Sequence, residues 1–167
     1  FERFKVDRLI LNDDNIGFAR ANNLGITKAT AEFILLLNCD AYLDATALTE
    51  AMNVMMGDSR IGQVGFKVLN AINRDVIDTT GHLFRPDRTA AHRGHAERDN
   101  GAYNEEVDMF GASACVSLYR RAMLNDIAVN GEYFDPDFGS YYEDVDLDWR
   151  ARIAGWRCRY ASHARAF

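Results

Sequence analysis

The sequence has little of what makes a membrane span, a disulfide scaffold or a nucleic-acid binder. Its longest uninterrupted apolar run, Phe33 to Leu37, is far short of the roughly 20 residues that cross a bilayer. Three cysteines, Cys39, Cys115 and Cys158, are odd in number and widely spaced. They read as free thiols of a reducing compartment. Positive charge is the minority sign, with 19 Lys and Arg against 25 Asp and Glu and a net charge of −6. That argues against general nucleic-acid binding, which needs a positive field. There are only two prolines, no low-complexity segment, no internal repeat and no signal-peptide pattern. What is present suits a folded domain: 48% hydrophobic and 26% charged residues in a chain of 167 can bury a proper core.

Phe4 to Leu11 alternates charged and apolar side chains and reads as a strand ending in the loop "NDDN". In "NIGFARANNLGITKATAE", Gly17, Ala21, Gly25 and Ala29 fall four apart. A helix there carries a stripe of small residues that lets its backbone lie close to what it covers. "EFILLLNCD" fits a strand buried on both faces. Strand, helix and strand together predict a parallel βαβ unit, with the Glu32 to Leu37 strand central. Ligands of such sheets bind beyond the carboxyl ends of the strands, where Asn38 and Asp40 stand. "DATALTEAMNVMM" reads as an amphipathic helix with Asp44 as its cap and Leu48, Met52 and Met55 in the core. "IGQVGFKVLN" is a further strand and "VIDTTGHLF" a shorter edge element. Arg85 to Asn104 is polar and reads as a long mobile loop over a site. Within it, His92 and His95 lack further Cys or His support for a zinc site. "EEVDMFGASACVSLYRRAML" returns to strand, with Gly111 and Ala112 marking a turn or a close approach; "RRAML" starts a short helix, and "WRCRYAS" is a last strand.

The acidic stretch "YYEDVDLDWRARIAGW" crowds Glu143, Asp144, Asp146 and Asp148 into six residues at the head of a helical pattern. Like charges so close cost free energy unless a cation or a proton compensates them. A structural explanation exists, because acids are favoured at a helix N-terminus. Asp146 and Asp148 are expected to pair with Arg150 and Arg152 or to cap the helix. An EF-hand is excluded, since its glycine and terminal glutamate are missing.

Two separated motifs then coincide. "NIGFARANNLGITKATAEFILLLNCD" resembles the N-x-G-F-A-x-x-N-N-x-G segment, apolar strand and N-P-D of family 2 glycosyltransferases. "GEYFDPDFGSYYEDVDLDWRARIAGW" is similar to that family's G-x-F-D-E-x-F, E-D-x-D-L and R-x-x-x-G-W signature. Their order and separation match, and the nearest subgroup is rhamnosyltransferase-like. The resemblance implies an α/β GT-A fold: a three-layer sandwich around a Rossmann-like, mostly parallel sheet. It implies residues 1–70 as the rest of a nucleotide-sugar-binding half and 71–167 as the acceptor half. The implied activity is inverting transfer from a nucleotide-diphosphate sugar to a glycan or lipid-linked acceptor, in surface polysaccharide synthesis. Carried over by motif, Asp144 is the base, with Glu143 its partner. Asn15, Gly17, Asn22, Asn38, Gly111 and Ala112 face the nucleotide-sugar, and Asp40 binds Mg²⁺ or Mn²⁺. The metal would offset charge on the diphosphate leaving group.

Some features depart from the pattern. The D-x-D is Asn38-Cys39-Asp40 here, with one carboxylate left and Cys39 in the place of the common proline. The family's leading strand, helix and strand, which carry much of the nucleotide pocket, have no counterpart. His163 is not clearly the late metal-site histidine. The chain is therefore expected to be a fragment that by itself binds donor poorly and is inactive. The expected location is cytoplasmic, with the inner membrane face left open. Rival readings are a non-catalytic carbohydrate-binding or interaction module, and a nucleotidyltransferase-like enzyme.

Overall fold

In the computed structural model, residues 6–167 are described. The helices are α1 (Phe18–Lys28), α2 (Ala47–Met56), α3 (Arg121–Ile127) and α4 (Glu143–Ile153). The strands are β1 (Phe33–Leu37), β2 (Ile61–Leu69), β3 (Ile77–Thr79), β4 (His82–Phe84), β5 (Ala90–His92), β6 (Asp108–Met109), β7 (Val116–Arg120) and β8 (Arg157–Ala166). The main sheet runs β1-β7-β2-β8-β6, with β3 added to the end of β2, and β4 and β5 form a separate hairpin.

Helices cover both faces, so the arrangement is a three-layer α/β sandwich. On one face Ile34, Leu36 and Tyr119 pack against Ala19 and Ile26 of α1, Met123 and Leu124 of α3, and Leu147 and Ala151 of α4. On the other, Val64, Phe66, Val116 and Leu118 pack against Ala47, Ala51 and Met55 of α2.

The sheet differs from expectation in two ways. It is not mostly parallel: β2 and β8 run parallel, while β1–β7, β2–β7, β2–β3 and β6–β8 are antiparallel. Nor is β1 central. Among the described residues it pairs with β7 alone, and Leu37 is exposed. The centre is β2, all of whose residues are buried. An unbroken apolar run reports cover on both faces, which β1 has; it does not report strands on both edges. β2 mixes Gly62, Gln63, Gly65 and Lys67 into its run, and so looks less buried than it is. At Gly62 a Cβ would collide with the Met123 side chain.

The helical patterns were half legible. The small-residue stripe of α1 faces outward: Ala21 and Gly25 are exposed, and the buried face is Ala19, Asn23 and Ile26. On α2 the core stripe is Ala47, Ala51 and Met55, with Leu48 exposed and Met52 half-buried. Thr46, not Asp44, stands at its N-cap. The strand expected over Phe4 to Leu11 lies partly outside the described residues, and 6–11 form no strand. The expected mobile loop, Arg85 to Asn104, is instead folded. β5 pairs with β4, and the fully buried Lys67 fastens the far end, its Nζ donating to Asp99 at 3.0 Å and Asn104 at 2.7 Å.

Asn23 ties α1 to the segment before α4. Its Nδ2 donates to the Phe134 carbonyl at 2.7 Å, and its Oδ1 accepts from the N–H groups of Phe134 at 2.9 Å and Tyr133 at 3.2 Å. Removing it leaves buried backbone groups unpaired. Asn23→Ala is expected to cost about 2 kcal/mol, read as a lower midpoint in urea. A loss below ~0.5 kcal/mol would mean that water replaces the amide.

Candidate active site

α4 starts where its charges favour it. Glu143, Asp144 and Asp146 lie in the first turn, and Arg150 and Arg152 in the last, in line with the helix dipole. Tyr141 and Tyr142 lead into it with φ of 74° and 72°. Two consecutive left-handed non-glycine residues are strained, a condition that gathers at functional sites. Asp146 pairs with Arg150 at 2.7 Å, as the spacing predicts. Asp144 does something else. Its Oδ1 accepts the N–H of Val145 at 2.9 Å, and its Oδ2 accepts the N–H of Ala114 at 3.1 Å. The second bond reaches out of the helix to the segment before β7.

A cleft of about 510 Å³ opens at this point, lined among others by Asn38, His82, Ser113, Tyr142, Glu143 and Asp144. That volume suits a small-molecule site. Glu143 is buried and its Oε2 has no partner among the described residues. Burial pushes its carboxyl above the ordinary glutamate range, and the neighbouring Asp144 charge adds to this. Asn38 sits at the end of β1, its N–H donating to the Cys115 carbonyl at 2.9 Å. Cys115 also borders the cleft, and burial raises its thiol. All three cysteines are free.

The other expected site residues lie elsewhere. Asp40 is exposed and outside the cleft lining, two residues beyond Asn38. Asn15 Oδ1 accepts the Gly17 N–H at 3.0 Å in the turn that opens α1, and Gly17 has the positive φ, 79°, that the turn needs. Asn22 donates to the Phe18 carbonyl within α1. Of this segment, Phe18 borders the cleft. Gly111 and Ala112 are buried and outside the cleft lining. Among the described residues no three His, Cys, Asp or Glu converge on one point that would hold a metal.

Asp148 is the main surprise. It does not meet the arginines expected for it; it is buried, and its Oδ2 lies 2.7 Å from Nδ1 of the buried His82. The other ring nitrogen, Nε2, lies 3.6 Å from Asp144 Oδ2. Burial pushes Asp148 up to about 6, against the opposing pull of His82. For His82 burial works against the charged ring, but the bond to Asp148 and the charges of Asp148 and Asp144 outweigh it, and its affinity for a proton rises. Gly111 makes the pair fit, since a Cβ there would overlap the Asp148 carboxylate. A sequence signal for this existed. Asp144 and Asp148 are four apart on a helix, and so share a face.

The mixed sheet sandwiched by helices, with a carboxylate-lined cleft beside the carboxyl end of β1, has a GT-A-like fold by likeness to a solved structure. The solved structure described as "Crystal structure of GalNAc-T7 with UDP, GalNAc and Mn2+" matches it with a TM-score of 0.68 and 11% identity, over 93% of this chain. The chain spans 30% of that protein's length. At this identity the likeness concerns the fold. No protein-family model matches the chain, and no curated protein matches it. Family 2 and its rhamnosyltransferase-like subgroup thus rest on the motifs alone. No helix among the described residues is long and apolar enough to cross a membrane.

Proposed function

We propose that the chain is part of an inverting glycosyltransferase of family 2 type. It would move a sugar from a nucleotide-diphosphate donor to a glycan or lipid-linked acceptor, in the cytoplasm or at the inner face of a membrane, in surface polysaccharide synthesis. The observation that carries this reading is convergence. Asn38 of the first motif and Glu143 and Asp144 of the second line one cleft, though more than a hundred residues separate them. The fold likeness, to a structure solved with UDP, GalNAc and Mn²⁺, is consistent with a nucleotide-sugar donor. Residues 1–70 would serve the donor, through Asn15, Gly17, Asn22 and Asn38, and 71–167 the acceptor. Gly111 and Ala112 would act by holding the cleft wall.

In this reading Asp144 deprotonates the acceptor hydroxyl as that oxygen attacks the anomeric carbon. The left-handed tyrosines at the cleft rim orient the acceptor and exclude water. Asp40 is the proposed ligand for Mg²⁺ or Mn²⁺, and as a lone exposed carboxylate it needs donor diphosphate oxygens and water to complete the shell. When bound, the metal would supply charge to offset the leaving diphosphate.

The test is nucleoside diphosphate release from a panel of UDP- and dTDP-sugars by the intact protein, with and without Mn²⁺. Asp40→Ala is expected to remove the metal-dependent part of that release; unchanged metal dependence rejects Asp40 as the ligand. Donor binding without release by the intact protein favours the non-catalytic module.

A further inference from the structure

We propose that His82, held by Asp148, is the second station of a proton relay whose first station is Asp144. This rests on reading the cleft as a site of sugar transfer. As the acceptor oxygen bonds to the anomeric carbon, the bond from that carbon to the diphosphate oxygen breaks and its electron pair leaves with the diphosphate. The acceptor proton passes to Asp144, then to Nε2 of neutral His82, and from the imidazolium to water.

Asp144 is held toward His82 by its backbone contacts: both its oxygens accept N–H bonds, from Val145 and Ala114. His82 Nε2 lies 3.6 Å from Asp144 Oδ2 and borders the same cleft. Its tautomer is set from the other side. With Nδ1 bonded at 2.7 Å to Asp148, the neutral ring carries its proton on Nδ1 and turns a lone pair at Nε2 toward Asp144. Once charged, the ring lies between two carboxylates. From β5, His92 faces it with ring centroids 5.3 Å apart; burial holds His92 below the ordinary histidine range, so it adds little charge. His95 and Asp78 stand beyond His92.

A purely structural account is weaker. A buried ion pair is seldom a net stabiliser, and Asp148 Oδ1 is buried with no partner among the described residues. Such an orphaned oxygen calls for a reason, and holding a histidine poised for protons is one.

The experiment has two arms. The His82 ring is titrated by ¹⁵N NMR in the wild type and in Asp148→Asn. In the intact protein, kcat/KM for sugar transfer is measured against pH for the same pair and for His82→Asn, which keeps a donor near the Nδ1 position and loses Nε2. The relay predicts an acid limb in kcat/KM whose midpoint coincides with the NMR titration of His82. Asp148→Asn moves both midpoints down together. His82→Asn lowers kcat by roughly 10- to 100-fold with KM little changed, and removes that limb. Transfer whose acid limb ignores Asp148→Asn, or a wild-type limb that does not match His82, overturns the relay while leaving sugar transfer standing. No release from any donor rejects the transferase reading and the relay with it.

Discussion

Asp144→Asn is expected to remove sugar transfer while leaving the fold and donor binding in place. The carboxylate lines the cleft and is fixed from two directions, by the N–H groups of Val145 at 2.9 Å and Ala114 at 3.1 Å. Asparagine has nearly the same shape and keeps one oxygen to accept one of those bonds. The other N–H then faces an amide nitrogen, which costs about 1 kcal/mol. The proton acceptor is lost altogether, and general-base catalysis is worth roughly two to four orders of magnitude in rate. Donor affinity should barely move, because the proposed donor contacts are Asn15, Gly17, Asn22 and Asn38, not Asp144. Turnover, donor binding and thermal midpoint measured on this one variant decide the matter. Near-normal turnover would make Asp144 a structural clamp between α4 and the Ala114 segment. The search would then pass to Glu143, whose buried, unpartnered Oε2 borders the same cleft and whose carboxyl binds protons more tightly than usual because of burial.

The parts of this molecule that were legible in the sequence are those governed by local rules. α4 begins at Glu143 because acids at the head and arginines at the tail fit the helix dipole, and that pattern lies on the page. Asp146 pairs with Arg150 for the same local reason. The Phe33 to Leu37 strand and the position of Asn38 at its end follow from an apolar run stopped by polar residues. What failed depended on which surface each element meets. The face that α1 buries is chosen by Asn23, which binds the Phe134 and Tyr133 backbone over a hundred residues away, and no periodicity contains that partner. The centrality of β2 depends on neighbours supplied by β7 and β8, from the other half of the chain. His82 was invisible for a like reason. It lies in a short hairpin strand, and its partner Asp148 is 66 residues away. For Asp148, local spacing offers only nearby arginines or a capping role, and its partner His82 lies outside both.

Gly111→Ala should show how much the site depends on that hidden pair. Gly111 is needed here for space, because its φ is not in the left-handed region and alanine could adopt its backbone. The added Cβ, however, would overlap the Asp148 carboxylate. Neither side can yield cheaply. The Gly111 carbonyl accepts the His82 N–H at 2.8 Å, so moving the backbone pulls on β4. Asp148 is buried on α4, one residue from the fully buried Leu147, so moving the helix opens the core. The carboxylate is expected to rotate away from His82 Nδ1 instead. Overpacking of this kind costs about 1–3 kcal/mol, and disrupting a buried charged pair costs about 3–5 kcal/mol. The two describe one event and do not add, so a loss of roughly 4 kcal/mol is expected, lowering the thermal midpoint by roughly 10 °C. A double-mutant cycle isolates the cause. Asp148→Ala removes the group that the new methyl strikes, so Gly111→Ala should cost far less in that background, with a coupling of about 1–3 kcal/mol. Strict additivity would place the damage elsewhere along the segment and show that Gly111 does not make room for the Asp148–His82 pair.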